Sequence, residues 1–173
     1  MRRARLLRSV LVGATLWACA GSAAAQEIAD VTRACRRADL LGEWQVIRLG
    51  PATGIRVDRS DPAFFPHQQY VFGRDATVRH LASQTRITDA DHRAFLAVAA
   101  GGTWAVDAAG RLLLLRAGQA RLEKSACLVL VKEVTDPKSQ LRSLPGDILL
   151  TTADAADKPL YRRQLRRLVG PGE

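Results

Sequence analysis

The stretch Leu40-Leu41-Gly42-Glu43-Trp44-Gln45-Val46-Ile47 decides the fold of this 173-residue chain. It places a glycine two positions before a tryptophan and continues with β-forming residues, so it predicts a strand over residues 42–49. Side chains alternate between the two faces of a strand, and Trp44 and Val46 therefore share one face. We expect that face to point into a core.

Further strand-like segments follow at short intervals. A predicted hairpin turns at residues 73–76, and a second one turns at Asp107-Ala108-Ala109-Gly110. The other predicted strands are residues 70–72, 77–81, 103–106, 112–115, 126–134 and 147–152, and the ambiguous segment 161–169 is interpreted as a closing strand. The pattern predicts an all-β, antiparallel up-and-down β-barrel of about eight strands with one or two short helices.

Three segments outside these strands have recognisable signals. Residues 28–40 are predicted to form a short helix or turn that leads into the barrel, with Asp30 as its N-cap. Thr88-Asp89-Ala90-Asp91 has the form of a capping box and predicts a helix over residues 89–99. The connection over residues 50–68 is long and has two prolines in its segment 61–66, which is typical of a functional loop or lid.

The N-terminus has the features of an export signal. Arg2, Arg3, Arg5 and Arg8 form a positively charged start, residues 6–17 form a short apolar core, and Ala23-Ala24-Ala25 supplies small residues for cleavage before Gln26. Acylation of Cys19 as a lipoprotein is an alternative that would change the location and not the fold. We therefore expect a periplasmic protein, with an outer-membrane lipoprotein or a secreted protein as alternatives. The expected division is a signal peptide at 1–25, a lead-in segment at 26–40, a barrel domain at 41–169 and a tail at 170–173.

The net charge argues against a nucleic-acid partner. The formal charge of the chain is +9, and the loss of four arginines with the signal peptide lowers it to +5. The remaining arginine clusters are not interleaved with aromatic residues, as a nucleic-acid surface requires. The apolar run of the signal is too short to span a bilayer, so no membrane span is expected.

The cysteine count predicts one disulfide. Cys35 and Cys127 are the two cysteines that remain after cleavage. An even number in an oxidising compartment indicates a structural bridge, and neither cysteine has a nearby cysteine or histidine that would suggest zinc.

The strand motifs together resemble the small bacterial lipocalin-like β-barrel domains. The first-strand motif is residues 41–46, the second hairpin is residues 70–78, a later strand entry is Gly102-Thr103-Trp104, and the final pair of strands is residues 147–163. The resemblance covers most of residues 40–168. The second lipocalin motif, Thr-Asp-Tyr, is absent from the sequence. The resemblance therefore extends to the barrel architecture and does not imply retinoid or odorant binding.

The resemblance also implies a structural role for the first tryptophan. Trp44 is expected to plug the closed end of the barrel, with Arg162 or Arg163 of the last strand lying over its indole ring. A guanidinium stacked on an aromatic face contributes about 0.5–2 kcal/mol.

The candidate ligand-binding residues come from alternation and from the long loop. An eight-stranded barrel is just wide enough to be filled by its own side chains or to hold one small ligand, and both outcomes stay open. The aromatic pair between the two prolines is interpreted either as a lid or as a permanent cap. The candidates are Phe64, Phe65, Tyr70, Phe72, His80 and Trp104.

The sequence contains no pattern that indicates catalysis. It has no nucleophile elbow, no zinc-protease motif and no phosphate-binding glycine loop. Its three histidines are not at metal-ligand spacing. We therefore expect no enzyme activity, no cofactor and no metal.

Two classes of function remain. The first is an exported lipocalin-like protein that binds or sequesters a small apolar or amphipathic molecule. The alternative is a protein-binding barrel. It would act either like a protease inhibitor that inserts residues 26–40 into a cleft, or as an accessory subunit of an envelope complex that docks through its arginines.

Overall fold

The computed structural model describes residues 29–118, 121–137 and 139–168. The predicted signal peptide, its cleavage site, Cys19 and the tail at 170–173 lie outside the described residues. Within them, no helix is long and apolar enough to cross a membrane. The strands are β1 Thr32–Ala34, β2 Gly42–Pro51, β3 His67–Phe72, β4 Thr77–Ser83, β5 Gly102–Val106, β6 Arg111–Arg116, β7 Glu123–Leu130, β8 Val134–Thr135, β9 Arg142–Ser143, β10 Ile148–Ala153 and β11 Pro159–Arg167. The helices are α1 Arg37–Leu40, α2 Asp89–Ala97 and a 3₁₀-helix at Pro62–Phe64.

Eight of these strands close into one antiparallel barrel. The order around the barrel is β2-β3-β4-β5-β6-β7-β10-β11, and β11 pairs with β2 to complete the circle. Full closure leaves none of the eight strands as an exposed sheet edge along its whole length. The predicted fold class is confirmed. The short β8–β9 hairpin forms a separate sheet.

Several strands begin or end away from their predicted limits. β7 was predicted over residues 126–134 but begins at Glu123 and ends at Leu130. β3 begins three residues before the predicted start at Tyr70, with Gln68 buried among its inward positions. Glu123 and Gln68 share the inward side of their strands with apolar residues. The alternation of apolar residues therefore does not show where these two strands begin, because an inward residue near the start of each is polar.

The lead-in segment differs from its prediction. Residues 29–31 form a helical turn, so Asp30 lies within that turn rather than at an N-cap. β1 follows and pairs with the last three residues of β7, beyond the part of β7 that pairs with β6. The prediction of a helix or turn is wrong over Thr32–Ala34, because the free edge of β7 offers hydrogen-bonding groups to those residues. Part of the segment expected to insert into a partner is therefore a strand of the sheet.

The predicted disulfide is present. Cys35 and Cys127 are bonded, with their Cα atoms 5.4 Å apart. The Cys35 backbone N–H also donates to the Cys127 carbonyl at 3.1 Å. The bond fastens the chain between β1 and α1 to the middle of β7.

The closed end of the barrel is built around Trp44, which is 1% exposed. Its indole N–H donates to the Leu40 carbonyl of α1 at 2.8 Å. The guanidinium that lies over the ring, at 4.5 Å, belongs to Arg167. The expectation of Arg162 or Arg163 is wrong, because the ladder sets Arg167 opposite Trp44 and places the other two opposite Gly50 and Leu49.

Gly42 is required at the start of β2. It adopts a φ of +107°, and a Cβ atom there would lie 2.7 Å from Nη1 of Arg167. Only glycine adopts such a φ without strain. The Gly-x-Trp motif therefore provides both the ring of the closed end and the space for the arginine that covers it.

Removal of the disulfide is expected to destabilise the barrel strongly. The double substitution Cys35→Ala/Cys127→Ala opens a loop that spans 92 residues of sequence. On the chain-entropy model, loss of the cross-link that closes such a loop lowers the free energy of unfolding by about 4–5 kcal/mol. Urea unfolding of the oxidised protein and the double variant would measure it. A difference below about 1 kcal/mol would contradict the structural role of the bond.

Candidate functional site

The barrel wall is incomplete between β4 and β5. Their ladder contains two pairs, Thr77 with Thr103 and Val78 with Gly102. β4 continues to Ser83, but β5 begins only at Gly102, so residues 79–83 of β4 extend past the end of their neighbour. The chain between the two strands, which includes α2, lies over this gap.

Helix α2 begins at the predicted capping box. The Thr88 hydroxyl accepts from the Asp91 N–H at 3.2 Å, and the Asp91 carboxylate accepts from the Thr88 N–H at 2.9 Å. The helix ends at Ala97, two residues before the predicted end, because Val98 takes an extended conformation. Phe95 is the buried residue of the helix.

Polar contacts fasten α2 and the chain after it to the outside of the barrel. The His92 ring lies between Gln69 and Glu43, with its Nδ1 2.7 Å from the Gln69 amide oxygen and its Nε2 2.9 Å from the Glu43 carboxylate. After the helix, Arg79 Nε donates to the Val98 carbonyl at 2.6 Å. α2 thus contacts the barrel through one buried apolar side chain, that of Phe95, and through a few polar side chains.

A crevice of about 540 Å³ lies between α2 and β4, and we call it the α2 crevice. The helix side supplies apolar groups, including Ala94, Phe95 and Val98. The strand side adds polar groups, including Arg79 and His80. Its volume falls within the range of about 300–1,000 Å³ that is usual for small-molecule sites.

A smaller cavity of about 120 Å³, the inner cavity, adjoins the crevice. His80 and Gly101 border both spaces. The remaining wall of the inner cavity includes Tyr70, Leu114 and Arg116. His80 thus stands between the α2 crevice on the outside and the inner cavity, where Arg116 is the charged residue of the lining.

The interior of the barrel at the end away from Trp44 holds a buried arginine. Arg163 is 2% exposed, and its guanidinium carbon lies 4.3 Å from the Tyr161 ring centroid. It donates to the Glu123 carboxylate and to the Ala63 carbonyl, each at the long distance of 3.4 Å. Its buried Nε has no hydrogen-bond acceptor among the described residues. An unsatisfied buried donor costs about 1–3 kcal/mol.

One carboxylate, Glu123, serves two guanidiniums. Arg116 Nη2 donates to its Oε2 at 3.1 Å, and Arg163 Nη1 donates to its Oε1. The hydroxyls of Tyr161 and Thr152 reach the same Oε1 at 3.3 and 3.4 Å. The ion pair of the buried Arg163 with Glu123 is therefore long, although a buried charge needs close geometry to offset its desolvation.

His80 and Tyr70, which lie beside these charges, are neutral near pH 7. Burial lowers the pKa of His80 well below its usual value, and the positive charges of Arg116 and Arg163 lower it further. Burial raises the pKa of Tyr70 to about 12. Two arginines and one carboxylate therefore give this part of the interior one net positive charge.

Gln68 connects this interior to the long loop. Its amide nitrogen donates to the Ala63 and Phe65 carbonyls at 3.0 and 2.8 Å. Its amide oxygen lies 3.2 Å from His80 Nε2, which therefore carries the ring proton of the neutral histidine. We call Gln68, His80, Arg116, Glu123 and Arg163 the interior polar cluster.

The structure separates the six predicted ligand-binding residues into two groups. Tyr70 and His80 stack at 4.3 Å beside the inner cavity, and the Phe64 ring meets Tyr161 edge-on at 5.4 Å. Phe65 lies next to Phe64, and its carbonyl is one of the two that Gln68 binds. The loop that was interpreted as a lid is thus fastened to the barrel.

Phe72 and Trp104 lie elsewhere, towards the closed end. Their rings pack edge to face at 5.2 Å, and both are buried in the main apolar core. Trp104 Nε1 donates to the Gly73 carbonyl, and Arg37 of α1 lies over the indole at 4.9 Å. Neither ring borders the crevice or the inner cavity.

Sequence reasoning did not identify Arg116 or Glu123, and it assigned Arg163 to a structural role over Trp44, although a signal for the inward arginines was available. Arg116 follows Leu112 and Leu114 at even spacing, and Arg163 lies between Tyr161 and Leu165 at the same spacing. Strand periodicity therefore assigns both arginines to inward faces. The described residues contain no group of three or more His, Cys, Asp or Glu side chains that could hold a metal ion.

The pH dependence of stability tests the burial of His80. An unfolded histidine binds a proton below about pH 6.5, whereas the native His80 does not, so its burial costs stability as the pH falls below that value. His80→Gln removes this loss, which is at most about 1.4 kcal/mol per pH unit for one proton. Urea unfolding at pH 7.5 and 5 would show a smaller decrease for the variant than for the unchanged protein. His67→Gln, on the outer face of β3, is the control and should keep the full decrease. Equal decreases in all three proteins would contradict a neutral buried His80.

The architecture is that of a closed eight-stranded antiparallel barrel with few helices, and it is consistent with the lipocalin-like resemblance. The chain matches no protein-family model, no curated protein and no solved structure in the three comparisons made.

Proposed function

We propose that this protein is an exported lipocalin-like barrel that binds a small apolar or amphipathic molecule in the α2 crevice. The observation that carries the proposal is the gap between β4 and β5, over which α2 forms a crevice of about 540 Å³ with one apolar wall. A concave, mainly apolar space with a few polar groups is the usual form of a small-molecule site.

A side entrance fits the rest of the barrel better than an entrance along its axis. At the closed end, Trp44 and Leu40 are at most 1% exposed, and the interior above them is filled by residues such as Leu165. At the opposite end, Gln68 holds the turn that carries Phe64. The gap in the wall is therefore where the inner cavity comes closest to an open crevice.

The nature of the α2 contacts supports a site that can admit a ligand. Helices of this length are marginal in isolation and depend on tertiary contacts. α2 contributes Phe95 as its buried side chain and His92 as a polar anchor. A shift of α2 would break few interactions and would widen the crevice without disturbing a barrel strand.

The disulfide supports an exported location. A bond between Cys35 and Cys127 persists in oxidising compartments such as the periplasm and is rare in the cytosol. An exported binding protein that samples lipids or small hydrophobic molecules is compatible with this compartment.

Blocking the crevice is expected to abolish binding. Titration with a neutral environment-sensitive dye such as Nile red should show saturable binding to the unchanged protein. Ala94→Trp fills the crevice from α2 and should weaken dye binding at least about tenfold, because the added indole occupies the ligand space. Ala97→Trp is the matched control, since Ala97 is exposed on the same helix and does not line the crevice.

Two outcomes would contradict the proposal. One is the absence of saturable dye binding to the unchanged protein. The other is an equal effect of the two tryptophan substitutions, which would place the dye elsewhere. Thermal unfolding of both variants would confirm that they are folded.

A further inference from the structure

We propose that the ligand is an amphipathic monocarboxylate, with its carboxylate bound by Arg116 at the inner cavity and its apolar part held in the α2 crevice. This inference rests on the proposed function and adds the chemical class of the ligand. It follows from the charges and the hydrogen-bonding capacity of the interior polar cluster.

The first argument is charge balance. Within the described residues that form the cluster, Arg116 and Arg163 face one carboxylate, that of Glu123, and His80 is neutral. Arg163 is removed from solvent, and a cation there is costly until its charge is fully neutralised. Binding of one negative charge completes the balance. An amine would add a second unpaired cation and is disfavoured.

The second argument is unused donor capacity. A guanidinium has five N–H donors. Arg116 makes one hydrogen bond among the described residues, to Glu123, and Arg163 makes two long ones while its Nε makes none. Planar guanidinium groups match carboxylates with paired N–H···O bonds. The cluster can therefore accept a second carboxylate without giving up Glu123.

The third argument is access. The Arg116 side chain is 29% exposed, whereas that of Arg163 is 1% exposed. Arg116 borders the inner cavity together with His80, and His80 also borders the α2 crevice. Arg116 is thus the arginine that a ligand in the crevice can reach. Arg163 binds the same Glu123 carboxylate from a buried position and contributes its positive charge to the cluster.

The size and charge of the inner cavity favour a carboxylate over a phosphate. A phosphate monoester carries a charge of about −1.5 to −2 at neutral pH, which exceeds the single positive excess of the cluster. The inner cavity of about 120 Å³ suits a compact planar head group. The remainder of the ligand would lie against Phe95 and Val98 of the crevice.

Matched acids and alcohols test the inference. Two pairs of compounds differ only in the head group: octanoate with octan-1-ol, and 2-naphthoate with 2-naphthol. The apolar part is aliphatic in the first pair and aromatic in the second. Displacement of Nile red should show that at least one acid binds at least about tenfold more tightly than its alcohol. The acid that shows the preference identifies the apolar class.

The assignment of Arg116 is tested by a pair of variants on one strand. Arg116→Gln should reduce acid binding to the level of the alcohol and leave alcohol binding unchanged. Arg111→Gln makes the same substitution on the outward face of β6 and should keep the full preference. Thermal unfolding would verify that both variants are folded, and the comparison of acid with alcohol in the unchanged protein does not depend on them.

Each outcome has a distinct meaning. If acids and alcohols displace the dye equally, the carboxylate inference fails while the proposed function stands. If the dye itself shows no saturable binding, both fail. If Arg116→Gln retains the preference for the acid, Arg116 does not bind the head group, and the inference fails.

Discussion

The ladder between β4 and β5 contains only two residue pairs, and the position of the candidate site follows from that short ladder. β5 begins at Gly102, so the upper part of β4 extends beyond it and the wall of the barrel has a gap there. The chain that joins the two strands must cover the gap. It does so with α2, which starts at a Thr88 capping box and buries Phe95. The α2 crevice and the inner cavity both exist because a helix, rather than a strand, completes this part of the wall.

The two ends of the barrel are built from different chemistry. The closed end buries Trp44 under α1 and satisfies its indole N–H with a backbone carbonyl, so the interior there is apolar and filled. The other end buries Arg163 and a shared carboxylate, with hydrogen bonds near the limit of useful length. A buried charge that is only partly satisfied reduces stability. Arg163 lines neither cavity, but Glu123 links it to Arg116, which borders the inner cavity.

Sequence patterns predicted the architecture well because the strands of the closed half bury alternating apolar residues. They predicted the start of β7 poorly, since Glu123 and Ser125 are polar residues on an inward face. For the candidate site, Tyr70 and His80, which border the inner cavity, were identified from strand alternation, whereas Phe72 and Trp104 border neither cavity. All four occupy inward faces, and alternation does not say at which height along the barrel an inward side chain lies. That height depends on register, which places Arg167 rather than Arg162 or Arg163 over Trp44.

The sequence by itself determined that this chain forms an antiparallel barrel, that Cys35 and Cys127 pair, and that a capped helix follows β4. These are consequences of local propensity, of period-two patterning and of a count of two cysteines. The tertiary structure alone decided that the wall opens beside β4 and that Arg116, Arg163 and Glu123 meet inside. The Arg163–Glu123 contact joins residues 40 positions apart along the chain, and its meeting with Arg116 depends on the stagger of eight strands. No short stretch of sequence encodes that stagger, because it is set by how the whole sheet closes on itself.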